Sequence, residues 1–368
     1  MPNYAVIGLG FGDEGKGACV NSLCQKLERP LVVRYSGGQQ AGHTVHHKNL
    51  VHTFSNFGSG TLRGAPTYWS KYCTFDPVGF LKECAVLNKK GVVPKLYLDT
   101  ASPLTTPMDK FKNQLSPAIE HGTCGVGVGA TFRREENFYS LLAEDLLYPE
   151  VLKIKLQMIK KHYADIYISN LLDEAIAEFL ECCSKVSELV SFSHEDQLKA
   201  MMADTNIIFE GSQGLMLDPN IGFFPHVTSS NTGTKNILAM VPTLEKVYLV
   251  TRAFQTRHGE GPMTNDNFEL VVKGNPYEIN VHNKYQGDFK KTVLDLDLLK
   301  YAMNRDPNIQ NLSRELVITC LDLMLEYKFT IKGELVTLPS EREFLAGISE
   351  YLHIRKVHTT YSPFGGDL

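Results

Sequence analysis

The chain has no apolar run long enough to span a bilayer. Its opening residues, MPNYAVIGLG, show no basic segment followed by an apolar stretch of signal-peptide length. Membrane insertion and export are therefore not indicated, and a cytoplasmic location is expected (a host's cytoplasm, were the gene carried by a phage). None of the eight cysteines is spaced as C-x-x-C, which leaves neither a zinc motif nor a dithiol redox motif and suggests reduced, partly buried thiols. Net charge is only -4 over 368 residues, so no global field draws the protein to nucleic acid or to an anionic membrane. Small anions stay open as ligands, because local basic residues can bind them whatever the net charge. Repeats, low-complexity tracts and long linkers are also missing, and one continuous domain over 1–368 is expected.

What the chain does have is short apolar runs that end in glycine. Residues 4–9 read as a first strand, 19–27 as a helix, and 31–35 (LVVRY) as a second strand followed by Gly37 and Gly38. Strand, glycine turn, helix, strand opens a parallel α/β sheet. Further buried strands are expected at 95–98, 207–209, 247–250 and 316–319. A helical insertion is expected over about 141–202, which is rich in Leu, Lys and Glu at helical spacing. The fold class is thus α/β, a phosphate-loop-like single large domain with a central, mostly parallel sheet. Ligand loops of such folds gather at the carboxyl ends of the strands.

Residues 10–17 (GFGDEGKG) nearly match the phosphate-loop pattern G-x-x-x-x-G-K-[ST]. Gly12, Gly15 and Gly17 allow backbone N–H groups to turn towards phosphate oxygens, and Lys16 offers them a point charge. The usual terminal Ser/Thr, which carries magnesium, is replaced by Gly17. Asp13 and Glu14 are then the only hard oxygen ligands in the loop. A carboxylate inside a phosphate cradle repels its ligand unless a cation or a proton transfer requires it, which marks Asp13. The same stretch contains Gly10-x-Gly12-x-x-Gly15, a dinucleotide fingerprint, with Arg34 where a phosphorylated cofactor would be read. A nicotinamide-dependent oxidoreductase is the alternative on that ground.

Five segments carry a resemblance: 12–17 (GDEGKG), 37–44 (GGQQAGHT), 209–214 (FEGSQG), 227–232 (VTSSNT) and 256–262 (TRHGEGP). In order and spacing they resemble the adenylosuccinate synthetase family, from the first strand to about residue 265. The resemblance implies a C–N bond-forming ligase. Asp13 would remove the N1 proton of a 6-oxopurine so that O6 attacks the γ-phosphate of a nucleoside triphosphate; the amine of L-aspartate would then displace phosphate from C6. His43 and Lys16 would serve the transferring phosphoryl group, with Gly12, Glu14, Gly15, Gly17, Gly42, Thr44 and Asp322 around the triphosphate. Asp13 and the Gly42 carbonyl would hold Mg2+. The purine monophosphate would meet Asp13, Gln40, Thr123, Cys124, Arg134, Gln213 and Thr228. A homodimer is implied, with Arg133 or Arg134 crossing to the neighbour's substrate, and no nucleic acid or membrane as partner.

Four departures from the common family pattern bear on substrate choice. Gln40 stands where an asparagine faces the purine, and Thr123-Cys124 stands where two threonines are usual. The guanine-reading T-K-x-D motif is Thr319-Cys320-Leu321-Asp322, without its lysine. The arginine-rich loop for aspartate aligns with 284–292 (KYQGDFKKT), where only Lys290 and Lys291 supply charge and Gln286, Gly287 and Lys290 are the expected aspartate-binding residues. These features, with the chain's shortness, resemble the phage-encoded branch, whose members join L-aspartate to deoxyguanylate. The expected reaction takes dGMP, L-aspartate and ATP or dATP to N6-succino-2-amino-2'-deoxyadenylate. The alternative is inosinate with GTP as donor.

Overall fold

The computed structural model describes residues 1–115, 123–164, 170–280 and 287–362. Strands β1 (Asn3–Gly8) and β2 (Pro30–Arg34) are joined through helix α1 (Lys16–Lys26). A hairpin of β3 (His43–His47) and β4 (Leu50–Phe54) follows, then β5 (Thr67–Trp69), α2 (Pro77–Lys89) and β6 (Leu96–Asp99). Helices α3 (Pro107–Leu115) and α4 (Val128–Glu136) come next. The region expected to be helical over 141–202 supplies α5 (Pro149–His162), α6 (Asn170–Leu189) and α7 (Glu195–Met201). It also holds a strand, β7 (Ser191–Ser193), which pairs with β6 and so belongs to the sheet.

The second half begins with β8 (Asn206–Gly214) and β9 (Lys246–Arg252). A ribbon of β10 (Gln255–His258) and β11 (Phe289–Thr292) leaves the end of β9. The remaining strands are β12 (Leu294–Asp295), β13 (Ser313–Thr319), β14 (Tyr327–Ile331), β15 (Glu334–Leu338) and β16 (Val357–Thr359). β12, β14 and β15 form a small separate sheet.

The central sheet has nine strands in the order β16-β13-β9-β1-β8-β2-β5-β6-β7. Every pairing in it is parallel. Because helices cover both faces, the inner strands are apolar throughout instead of alternating with polar residues. Ala5, Ile7, Phe209, Val247, Leu249 and Ile318 pack into the core of one face, and Val6, Ile208, Val250 and Val317 into that of the other. Under the β5–β6 end, Trp69 and Phe75 pack with Leu156 and Phe179 of α5 and α6. β1 lies between β8 and β9, so strands laid down later flank the first one. Such a reversal opens a crevice beyond the carboxyl ends of the strands.

A buried polar cluster ties α3, α4 and the end of α5 together. Arg134 Nε donates to Asp109 Oδ1 at 3.1 Å, and Tyr163 Oη donates to the same oxygen at 2.8 Å. Thr106 closes the cluster through its backbone N–H to Asp109 at 2.8 Å.

Candidate functional site

The carboxyl ends of β1, β2, β8, β9 and β13 all open onto one cavity of about 440 Å³. The loop after β1 enters α1 through Gly15, whose φ of 95° is the left-handed conformation that glycine adopts without strain. Asp13 adopts φ of 60°, uncommon for a residue with a Cβ, and its carbonyl accepts from Arg252 Nε at 2.6 Å. Its carboxyl group is raised above the ordinary carboxylate value by burial, with Arg252 and Lys16 pulling the other way. The side chain lines the cavity.

Glu14 does not face a ligand as expected of a hard oxygen donor. It is turned beneath the loop, accepting from Gly10 N at 3.1 Å and Gly12 N at 2.8 Å, while its other oxygen holds Lys16 Nζ at 2.5 Å. The carboxylate thus fixes the loop's shape and neutralises the buried lysine. Lys16 is 2% exposed and borders the cavity, so its charge is held at the cradle.

The loop after β2 delivers His43 to the start of β3. Its Nδ1 lies 2.6 Å from Glu210 Oε1, and Ser59 N donates to Glu210 Oε2 at 2.9 Å. Ser59 Oγ donates to Glu210 as well. Burial pushes Glu210 up, but His43, Arg34 and Ser59 outweigh it and hold the carboxyl at about 2. Burial also lowers His43, against the pull of Glu210. An ionised Glu210 can only accept, so Nδ1 is the donor. Nε2 lies 3.4 Å from the Ser212 carbonyl and is the ring nitrogen that no carboxylate engages.

At the outer end, Arg252 Nη1 meets Glu278 at 2.8 Å. Burial raises Glu278, and Arg252 more than offsets it. Asn275, Tyr277, Glu278, Ile279 and Asn280 close this side of the cavity. Cys320 and Asp322 line it too, Cys320 with φ of 61°, and burial raises both side chains. Thr319 Oγ1 donates to the Glu14 carbonyl at 2.8 Å, joining the altered T-K-x-D motif to the phosphate loop.

The cavity gathers Gly12, Asp13, Glu14, Gly15, Lys16, Gly17, Gln40, Gly42, His43, Thr44, Cys124, Gln213 and Asp322, all expected from the sequence. Thr123, Thr228, Gly287 and Lys290 are not among its lining residues; Thr123 instead donates to Asn113 Oδ1 at 3.0 Å. Gln286 lies outside the described residues. Two side chains are corrected. Arg134 is 1% exposed, with Nε on Asp109, Nη1 on Glu135 and the Tyr139 carbonyl, and Nη2 on the Leu104 carbonyl. Every nitrogen of it is committed within the chain, so it neither reaches this substrate nor crosses to a neighbour. Arg133, on the exposed side of α4, remains the candidate. Arg34 is fully buried, donating to the Phe57 carbonyl and Ser212 Oγ and lying over Trp69. It cannot read a cofactor's ribose phosphate, which removes the oxidoreductase alternative.

Sequence reasoning missed Glu210, Arg252, Glu278 and the segment 275–280. Glu210 was visible as the single charged residue of β8, and Arg252 as the charge that ends β9. The segment 275–280 carries no motif that could have flagged it.

A parallel α/β sheet with a phosphate loop at its switch point defines a nucleotide-binding enzyme of the phosphoryl-transferring kind. A family model described as adenylosuccinate synthetase matches residues 5–333, and the chain belongs to that family. It is accordingly a C–N bond-forming ligase. The match extends well past the residue 265 expected from the motifs. The chain is 28% identical over 381 residues to the adenylosuccinate synthetase of Lawsonia intracellularis, covering 94% of this chain and 85% of that protein. Among solved structures, fully ligated adenylosuccinate synthetase from Plasmodium falciparum superposes with a TM-score of 0.80 at 16% identity, over 99% of this chain and 98% of that one. Cyanophage S-2L succinoaminodeoxyadenylate synthetase (PurZ), bound to dGMP and dATP as an energy donor, gives 0.67 at 15% identity, over 99% and 93%.

The close packing of α1 against β3 generates a test. A Cβ on Gly17 would lie 2.9 Å from the His43 Cβ and 3.0 Å from Ser59 Oγ. Gly17→Ser, which restores the common phosphate-loop residue, should therefore displace His43 and lower kcat by at least about 10-fold. Steady-state kinetics check this; unchanged or higher activity would show that the position is free to take its usual hydroxyl.

Proposed function

We propose that the protein joins L-aspartate to C6 of dGMP with ATP or dATP as phosphate donor, through a 6-phosphoryl intermediate. The observation that carries the mechanism is Asp13, a carboxyl raised by burial and set in the phosphate loop facing the same cavity as His43 and Gln40. A raised carboxyl is a stronger base once ionised, and Lys16 and Arg252 keep the ionised form accessible.

In the proposed sequence Asp13 takes the N1 proton of the purine, O6 attacks the γ-phosphorus, and the nucleoside diphosphate leaves. The amine nitrogen of aspartate then attacks C6, loses a proton, and phosphate departs with O6. His43 Nε2 stabilises the charge that grows on the transferring group, with Glu210 holding the ring and its tautomer. The Asp13 carboxylate and the Gly42 carbonyl, both bordering the cavity, fit a hard cation such as Mg2+. No cluster of three His, Cys, Asp or Glu side chains able to hold a metal occurs among the described residues, so a cation here would depend on phosphate oxygens as well. When bound, it would neutralise charge between the phosphates.

Three features support dGMP. Both amide atoms of Gln40 are buried without partners, as is Gln213 Oε1, so donors and acceptors await a polar base. The Asp13 carboxylate can accept from N1–H and the 2-amino group together. The cyanophage enzyme of the same fold binds dGMP and dATP. For the donor, Cys320 cannot cover a guanine face as a lysine stem would, although Asp322 could still accept from its edge. We further propose a homodimer in which Arg133 reaches the partner's substrate.

Two measurements test this. Asp13→Asn should lower turnover by about 10²-fold or more while nucleotide binding by calorimetry stays close to the parent; activity within a few-fold would remove Asp13 from the mechanism. The parent should be incubated with dGMP, GMP or IMP, aspartate, and ATP, dATP or GTP, and the products weighed by mass spectrometry. The succinylated dGMP product made with adenine donors is expected. Conversion of IMP alone, or a preference for GTP beyond about 100-fold in kcat/KM, would contradict the substrate assignment.

A further inference from the structure

Asp13, the base of the proposed reaction, sits in an unfavourable backbone conformation that the phosphate loop does not hold by itself. Gly12 and Gly15, which bracket Asp13 and Glu14, both have φ of 95°, a region that glycine enters freely. Asp13 shares the left-handed region at φ of 60° although it carries a Cβ. A residue so placed keeps its conformation only where its surroundings over-determine it. Two neighbouring strands do this. Thr319 Oγ1, at the end of β13, donates to the Glu14 carbonyl at 2.8 Å. Arg252 Nε, at the end of β9, donates to the Asp13 carbonyl at 2.6 Å. That carbonyl lies in the peptide plane joining residues 13 and 14, so the Arg252 bond fixes how the plane is turned. Released, Asp13 is free to return to negative φ, which carries its Cβ and carboxyl group away.

Arg252 is constrained in its turn. Its guanidinium lies over the rings of Phe254 and Phe289, 5.8 and 5.5 Å from their centres, and Nη1 donates to Glu278 Oε2 at 2.8 Å. The other oxygen of Glu278 accepts from Asn280, from its backbone N at 3.3 Å and from Nδ2 at 2.8 Å. The ion pair is nearly out of solvent, its side chains 9% and 14% exposed, so loss of either partner leaves a charge poorly compensated. The rigid fork of a guanidinium lets Nε and Nη1 serve two acceptors at once, which the single ammonium of a lysine copies only in part. A chain of contacts therefore runs from Asn280 through Glu278 and Arg252 to Asp13. It joins the segment that closes the outer side of the cavity to the base at its centre.

We propose that Arg252 is a positioning residue for the Asp13 carboxyl group, acting through the Asp13 carbonyl, and that Glu278 positions Arg252. The pair sets the rate of the chemical step by holding the base, and takes no part in binding a substrate. The inference rests on the reading of Asp13 as the base of an aspartate-consuming ligase.

The test is a double-mutant cycle in kcat on the intact enzyme. Arg252→Met should lower kcat about 10- to 100-fold, with the Michaelis constants of all three substrates within about three-fold of the parent. In an Asp13→Asn background the same substitution should change kcat by less than about three-fold, because a residue that acts through Asp13 then has nothing to position. Arg252→Lys, which keeps the charge and a donor, should recover most of the loss. Glu278→Gln, which keeps an acceptor, should give a smaller fall in kcat that also disappears in the Asp13→Asn background. Where Arg252→Met does not fold, Glu278→Gln and Arg252→Lys decide by the same ratios. An equal loss of kcat in both backgrounds would mark Arg252 as a general prop of the fold, and a raised Michaelis constant at unchanged kcat would mark a substrate contact; either overturns the assignment. If the parent makes no aspartate adduct, or Asp13→Asn is as active as the parent, the ligase or base reading fails first. That failure is seen before any Arg252 variant is measured.

Discussion

The structure is governed by one electrostatic constraint: a cavity that must receive several phosphates is lined by four carboxylates. Asp13, Glu14, Glu278 and Asp322 all border it. Two are cancelled internally, Glu14 by Lys16 and two loop N–H groups, Glu278 by Arg252. Behind His43 a further carboxylate, Glu210, is buried and satisfied by the imidazole and Ser59. Among the described residues neither of the other two forms such an ion pair: Asp13, the base of the proposed reaction, and Asp322, the proposed reader of a base edge. Buried charges are tolerated only when paired, and those left without a cation are where chemistry is to be sought.

That arrangement depends on the sheet. Parallel strands deliver their carboxyl ends to one edge, and β1 between β8 and β9 makes that edge a crevice. The loop after β1 brings Asp13 and Lys16, the loop after β2 brings His43, β8 brings Glu210 and Gln213, β9 brings Arg252, and β13 brings Asp322. The β10–β11 ribbon, emerging from β9, adds His258 to the lining of the cavity. No single segment holds the site, which is why the motifs are spread over some 300 residues.

Much of this was legible in the sequence. The apolar runs at 4–9, 31–35, 95–98, 207–209, 247–250 and 316–319 all became strands, because a sheet covered on both faces writes itself as unbroken hydrophobic stretches. The glycine-rich loops announced the cradle for the same reason: backbone that turns tightly around phosphate leaves little choice of residue. β7 was not legible, since three residues between two helices carry no periodicity. The fate of Arg134 was hidden as well, because its partner Asp109 is distant in sequence and an arginine at a helix end reads equally as ligand or as internal tie.

The central claim is that O6 of the purine becomes the leaving oxygen after phosphorylation. It is tested most directly with monophosphate carrying ¹⁸O at the 6-position, turned over with aspartate and ATP. The account predicts that the label appears in the released inorganic phosphate, one atom per product formed. Recovery of the label in water, or phosphate without it, would show that C6 is not activated through a phosphoryl group and would contradict the role given to Asp13 and its cavity.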